Sequence, residues 1–466
     1  MPAPEMDDTF VSEESRRAPT AVGVAGQRRI LLVSYYYPPV NVVGALRWQK
    51  LTPLLERRGW PLDVIMVEPD SSVALDAHRL AEIPPDTRRF GVPDVASRSF
   101  EFQRSVWRWV RPLFRRGTSH QESHEAESGR PPQIPERESL ARAYLARLMF
   151  REGFRWADRA TSVARRVAAE RPPTLVLSSG PPHAAHEAAR RIAKERRVPF
   201  VMDLRDPWCS VENMPKDCES RTWMRLAGTA ERRCVEDASL VVVTTEAARV
   251  AMVERYPQLA DRFIRVMNGA DPETIPVVER KSRFIIAYAG NLYYGRDPRN
   301  LFRAVARVTQ ELSLSPDVFA VQFLGGESYE GRPVSELAAE VGVQDFFEYT
   351  PHKPRTDALK MLAGASMLVS LPQYAHLAIP AKLFEYVQFD AWLLVLAERD
   401  SATALLFRDT GADVVRPDDV ASMAEAIRYR FEQFRRGERP IALNADGSFS
   451  RERQAELLLD ALDRCQ

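Results

Sequence analysis

ILLVSYYYPPVNVVGALR, residues Ile30–Arg47, opens on an unbroken apolar run, breaks at paired prolines, and resumes behind Gly44 with apolar residues at helical spacing. A short branched run bounded by turn formers reads as a strand buried on both faces, and the periodic stretch after it as a helix laid against that strand. The pattern recurs. Strands are expected at Ile30–Ser34, Asp63–Val67, Thr174–Ser178, Phe200–Asp203, Leu240–Thr244 and Phe263–Met267, most of them followed by helical spacing. A segment with prolines and charges, Asp271–Arg283, interrupts the alternation before a second series at Phe284–Tyr288, Val318–Leu324, Ser366–Ser370 and Trp392–Leu396, with helical stretches from Val420 and from Ser448. Repeated βαβ units build parallel sheets. The predicted architecture is α/β: two doubly wound, Rossmann-like domains facing each other across a cleft, the first over residues 27–275, the second over 276–447, and a C-terminal helix in 448–466 packing back towards the first.

Length and composition suit this plan. The 466 residues exceed one ordinary core. Apolar residues at 45%, charged residues at 28% and a net charge of +1 fit a globular protein and argue against a general nucleic-acid binder. No apolar run approaches the ~20 residues that cross a bilayer, and the first residues lack the basic and apolar regions of a signal peptide, so a cytoplasmic location is expected. Cys209, Cys218, Cys234 and Cys465 show no C-x-x-C spacing and read as reduced thiols. Residues 1–26 read as a disordered tail. Within 98–140, Phe100, Phe102, Trp107, Trp109 and Phe114 alternate with Arg104, Arg108 and Arg111. This is either a helix packing its rings on the first domain or one lying at the face of an anionic membrane through Phe100, Trp107, Trp109, Arg108 and Arg111. A mobile loop is expected behind it, over Thr118–Glu138.

In doubly wound sheets ligands bind beyond the carboxyl ends of the strands, so the loops there carry the function. After the first strand, Gly44 permits close approach to a helix start, or simply makes a turn. Ser179, Gly180, Pro181, Pro182 and His183 form a rigid loop that leaves room for a substrate, or a tight connection. Asp203, Arg205 and Asp206 end the fourth expected strand as either an ion-pair knot or a polar site; the site is preferred, since an arginine forks onto phosphate or carboxylate and aspartates take sugar hydroxyls. Asn268–Asp271 reads as a turn into the linker. In the second domain Gly290 would let a diphosphate lie on the main chain beside Asn291, and Arg296 would neutralise it, or the stretch is a surface turn with a solvated arginine.

The most informative loop is IPAKLFEY, Ile379–Tyr386. Pro380 opens a helix, Lys382 offers a point charge for phosphate, and Glu385, one turn later, can accept two ribose hydroxyls; the plain alternative is an exposed Lys–Glu pair. Several chemistries lose support: there is no G-x-x-x-x-G-K, G-x-G-x-x-G or G-x-S-x-G motif and no D-x-D pair, and His186-Glu187 lacks the second histidine of a zinc-protease motif because Arg190 stands there.

Taken in order, YYYPPVNVVGALR, SSGPPHAAHEAA, VMDLRDPW, VMNGAD, YAGNLYYG and IPAKLFEY resemble the GT-B glycosyltransferases of glycosyltransferase family 4, over about residues 29 to 435. The resemblance implies a retaining transferase with no essential metal and no cofactor, its nucleoside diphosphate sugar held by the second domain and its hydroxyl acceptor by the first. It places Gly290, Asn291 and Arg296 near the diphosphate, Lys382 on phosphate, Glu385 on the ribose, and Asp203–Asp206 towards the transferred sugar and acceptor. The chain departs at Leu377, where many members carry a glutamate, and at Asp390, where a glycine is usual. An epimerase or phosphorylase on the same frame, or a non-catalytic nucleotide-sugar binder, stays open beside the transferase.

Overall fold

The computed structural model describes residues 28–69, 75–96, 138–209, 220–271, 275–279, 282–292, 295–372 and 376–465. The expected tail, the aromatic stretch Phe100–Phe114, nearly all of the loop behind it, Cys218, Tyr293 and Tyr294 lie outside the described residues. The first domain is a fully parallel sheet of β1 (Ile30–Ser34), β2 (Leu62–Val67), β3 (Arg88–Val92), β4 (Leu175–Gly180), β5 (Phe200–Leu204), β6 (Leu240–Val243) and β7 (Phe263–Arg265), in the order β3-β2-β1-β4-β5-β6-β7. The central strands are buried on both faces, as expected of Val/Ile/Leu runs covered by helices. Those helices are α1 (Val43–Arg57), α2 (Leu140–Glu170), α3 (Ala184–Arg196), α4 (Arg221–Asp237) and α5 (Glu246–Arg255). Ser139, Ser220 and Thr245 cap α2, α4 and α5, each accepting the backbone N–H three residues on.

The order reverses between β1 and β4, where Ser34 lies opposite Ser179, and β4 in turn sets Ser179 beside Asp203 on β5. The loops carrying Gly44, Gly180–His183 and Arg205–Trp208 therefore emerge side by side.

The second sheet contains β8 (Phe284–Gly290), β9 (Phe319–Gly325), β12 (Phe347–Thr350), β13 (Met367–Ser370), β14 (Trp392–Leu396) and β15 (Asp413–Val415), ordered β12-β9-β8-β13-β14-β15 and also parallel. A small hairpin of β10 (Ser328–Tyr329) and β11 (Arg332–Pro333) stands apart from it. Helices α6 (Arg299–Glu311), α7 (Val334–Ala339), α8 (Arg355–Ala363), α9 (Ala381–Tyr386), α10 (Ala402–Phe407) and α11 (Val420–Arg435) cover this sheet. Its reversal falls between β8 and β13, and the Gly290 loop and α9 meet there.

The chain crosses between domains twice, and the crossings lie together. Ala270 N–H donates to the Phe449 carbonyl at 2.6 Å and Arg451 N–H to the Ala270 carbonyl at 2.8 Å. Beyond this junction α12 (Arg451–Asp463) returns to the first domain, where Leu458, Leu459 and Leu462 join Trp48, Leu51, Leu55 and Trp60 in one core. Trp60 Nε1 donates to Asp463 at 3.1 Å and Gln454 accepts from Met267 N–H at 2.9 Å.

Candidate functional site

Tyr288 ends the apolar part of β8, and Gly290 follows it with φ +130°, a conformation that favours glycine. A Cβ at Gly290 would stand 2.8 Å from Lys382 Nζ. The missing side chain is what lets the ammonium sit under the loop, where it donates to the Ala289 carbonyl at 3.0 Å and lies 3.8 Å from the Tyr288 ring centroid. Burial lowers the Lys382 pKa well below the usual lysine range; the Arg296 guanidinium lowers it further and Glu385 opposes. Arg296 is itself buried, and its Nη1 donates to the Asn291 carbonyl at 3.1 Å, an oxygen that also accepts from the Tyr288 hydroxyl at 2.9 Å. Tyr386 completes the support, its hydroxyl accepting from Ala289 N–H at 2.8 Å. His352 Nε2 lies 3.0 Å from the Asn291 side-chain oxygen.

Of the expected second-domain residues, Gly290, Asn291, Arg296 and Lys382 are thus brought together at the carboxyl end of β8. Glu385, half-buried on the same helix, pairs with Arg355 at 3.2 Å. A cavity of about 240 Å³ opens beside this cluster at the carboxyl ends of β13 and β14, lined by Gly295, Asp297, Ser370, His376, Glu398 and Thr403. A second cavity, about 270 Å³, lies at the opposite ends of the strands, where Ser366 leads into β13 and Trp392 begins β14, away from the Gly290 loop and Lys382.

The first-domain wall corrects part of the expectation. Asp203, predicted to face the transferred sugar, is 1% exposed. Its carboxylate is gripped by Arg47 through two bonds of 3.1 Å, by Trp48 Nε1 at 2.8 Å and by the Ser179 hydroxyl at 3.0 Å. Arg47 also donates to the carbonyls of Val266 and Met267 at 3.1 and 3.0 Å. This is the ion-pair knot, and it removes Asp203 and the fully buried Ser179 from substrate contact. Burying a carboxylate requires such a complete set of donors.

Arg205 reaches the loops instead, donating to the Gly44 carbonyl at 2.7 Å and to the Pro181 carbonyl. Gly44 therefore serves as an anchor for Arg205, since a Cβ there would come within 3.1 Å of its Nη1. Asp206 is exposed. The dense protein around it raises its carboxyl above the ordinary range, with Arg205 opposing and Asp203 adding. Gly180 is buried against the two histidines behind it: a Cβ would meet His186 Nε2 at 2.4 Å and His183 Nδ1 at 3.2 Å. His183 stays half-buried at the wall, neutral because burial, His186 and Arg205 all lower its pKa. Behind it, His186 faces Ser178 across 2.8 Å, and its pKa is lowered to about 3 by burial and Arg205.

Arg47, Trp48, Tyr288, Tyr386 and Arg355 were not anticipated. Tyr386 had a signal, standing one turn after Lys382 in IPAKLFEY. Leu377, where a carboxylate was expected from the resemblance, packs against the first domain's core, and its carbonyl accepts from the Thr245 hydroxyl at 2.6 Å. Asp390 accepts from Ala442 N–H at 3.1 Å, fixing the stretch that leads to the second crossing.

No protein-family model matches the chain. A stretch of 162 residues, 31% of this chain and 35% of the relative, is 28% identical to D-inositol 3-phosphate glycosyltransferase of Corynebacterium kroppenstedtii. The protein of that name from Corynebacterium aurimucosum is 24% identical over 199 residues, 37% of this chain and 46% of the relative. The chain therefore spans less than half the length of these curated relatives. Among solved structures, sucrose-phosphate synthase of Thermosynechococcus elongatus superposes with a TM-score of 0.58 at 13% identity, over 94% of this chain and 98% of its own. Staphylococcus aureus TarM, in a complex that contains UDP, gives 0.56 at 8% identity over 93% and 99%. An Escherichia coli structure described as trehalose-6-phosphate bound with UDP-2-fluoro glucose gives 0.58 at 11% identity over 93% and 98%. At these identities the likeness is one of fold: two Rossmann-like parallel-sheet domains in the arrangement of GT-B glycosyltransferases.

Proposed function

We propose that the protein is a family 4 type glycosyltransferase that moves a sugar from a nucleoside diphosphate sugar to an acceptor hydroxyl, with retention and without a metal, in polysaccharide or glycoconjugate synthesis. The observation that carries this reading is the placement of Lys382 beneath Gly290 at the carboxyl end of a parallel strand, with the buried Arg296 bound to the next residue's carbonyl and near enough to disfavour the lysine's charge. Such a pair suits a diphosphate, whose charge offsets both. As the sugar's bond to the diphosphate breaks, negative charge grows on the leaving oxygen, and cations fixed there beforehand stabilise it without reorganising. The acceptor hydroxyl adds to the anomeric carbon on the same face, and its proton passes to the departing phosphate oxygen. Glu385 turns from Arg355 to the ribose hydroxyls. From the facing wall, His183 and the exposed Asp206 contact the acceptor.

Calorimetric titration with a panel of nucleoside diphosphate sugars, followed by mass analysis of products, tests this reading. One donor should bind and be consumed, and Lys382→Ala and Glu385→Ala should weaken its binding without unfolding the chain. Unchanged affinity in both variants would defeat the assignment. Leu377 favours a second reading, a nucleotide-sugar binder without turnover, because the position where a sugar-facing carboxylate was expected serves as a latch between domains. Donor binding with no product from any acceptor would select it.

A further inference from the structure

A chain of stacked rings leads out of the acceptor wall. His183 stacks on Trp208 with centroids 4.8 Å apart and planes 13° apart, Trp208 on Phe154 at 6.1 Å, and Phe154 on Phe150 at 4.5 Å, while Phe150 meets Trp223 of α4 edge-on at 5.4 Å. Five rings thus run without a break from the loop after β4 across α2. Phe150, Phe154 and Trp223 are only half-buried, and Tyr144, further out on α2, is 59% exposed. The half-exposed neighbours are apolar too: Leu148, Met149 and Met224.

Cations border this track. Arg147, Arg151 and Arg155 recur every fourth residue, which sets them in one exposed stripe a row around α2 from Phe150 and Phe154. Arg155, at the cleft end, lies 3.8 Å from Glu152. Core packing accounts for the inner edges of the rings. It does not require that half-exposed rings be continuous with the cleft wall, or that arginines flank them. Sugars stacked on rings would call for hydrogen-bonding side chains along the track, whereas a hydrocarbon chain calls for leucine and methionine, and a phosphate on that chain for arginine.

We infer that the acceptor is an anionic amphiphile: its hydroxyl-bearing head enters the cleft at His183, its phosphate is met by Arg155 and Arg151 at the cleft end of the arginine stripe, and its hydrocarbon chain lies along the Trp208–Phe154–Phe150–Trp223 track. This rests on the transferase reading above and names the substrate class of that site.

The probe is farnesyl phosphate, titrated into the full chain and followed by tryptophan fluorescence, since Trp208 and Trp223 lie on the track. Farnesol and inorganic phosphate serve as controls. Saturable binding at least tenfold tighter than farnesol is expected, with no response to inorganic phosphate. Phe150→Ala should weaken it about tenfold, and the double variant Arg151→Glu, Arg155→Glu should bring it to the farnesol level; nucleotide binding by calorimetry should be unchanged in both. If Phe150→Ala fails to fold, the surface arginine variant decides alone. Absence of saturable binding, equal binding of farnesol, or binding indifferent to the variants overturns the inference. So does capture by phosphatidylglycerol-containing vesicles without any binding of farnesyl phosphate, which assigns the face to a membrane surface. Farnesyl phosphate binding with no nucleoside diphosphate sugar bound leaves the track standing and removes the transferase reading; the reverse removes only the track.

Discussion

Lys382 holds its ammonium between the Ala289 carbonyl and the Tyr288 ring, and burial lowers its pKa, with Arg296 adding to the effect. Between that lowered value and the ordinary lysine value of about 10.4, the unfolded chain carries a proton that the folded chain lacks, so this group's contribution to stability rises with pH. A bound diphosphate restores the charge. Nucleotide binding should therefore take up a proton, and affinity should fall as pH climbs through this window; calorimetry in buffers of different ionisation heat measures the uptake, which Lys382→Met should abolish. The same variant removes a charge-assisted contact of roughly 1.5–3 kcal/mol, so nucleotide affinity should drop about 10- to 150-fold. Its thermal midpoint should not fall, because the lost charge was disfavoured by burial. Gly290→Ala should also lose at least tenfold in nucleotide affinity, since it forces a strained φ and drives Nζ from its place. The meeting of Gly290 with Lys382 was legible at this scale because a bare backbone and a charge are local chemistry. Tyr288 and Arg355 were not, because only the fold brings them to the loop.

Around Asp203 the elements are tied together. Its ion pair with Arg47 fastens α1 to β5, and Arg47's further bonds reach the stretch after β7. Removing one partner of a buried pair strands the other charge, so Asp203→Ala should cost roughly 3–5 kcal/mol in urea unfolding. Asp206→Ala, at an exposed position, should stay within about 0.5 kcal/mol and affect acceptor use instead. The sequence showed two carboxylates around an arginine but not which one faces inward; that depends on the alternation of β5 and on an arginine over 150 residues upstream, at Arg47. Strand recognition failed for a related reason. β3, β12 and β15 went unexpected, and each is the edge of its sheet. With one neighbour apiece they carry Arg88, Glu348 and Asp413, the first two paired with Asp63 and Gln322 of the adjoining strands at 2.7 and 2.6 Å and the third with Arg430 of α11 at 2.8 Å. An apolar-run criterion finds interior strands and passes over such edges.

At the scale of the whole molecule, the paired crossings at Ala270 and Phe449–Arg451 join two bodies of the same architecture. Gly269, with φ +68°, lets this happen: a Cβ there would lie 2.6 Å from Arg451 Cα. Gly269→Ala should therefore loosen the return of α12, read as earlier protease cleavage near residue 450 and a lower thermal midpoint. The alternation of strands and helices made the two-domain plan legible from the apolar runs alone. The junction was less so, because a turn-like Asn268–Asp271 carries no sign of the distant segment lying beside it. That junction also bears on biosynthesis. Trp48, Leu51, Leu55 and Trp60 share their core with α12, so the first body leaves the ribosome with a greasy seam that stays bare until that helix emerges. Domains ordinarily mature from the N-terminus onward; here the first lobe must wait for a helix made after the second, and a stop codon near position 448 would harm the lobe farthest from it in the message.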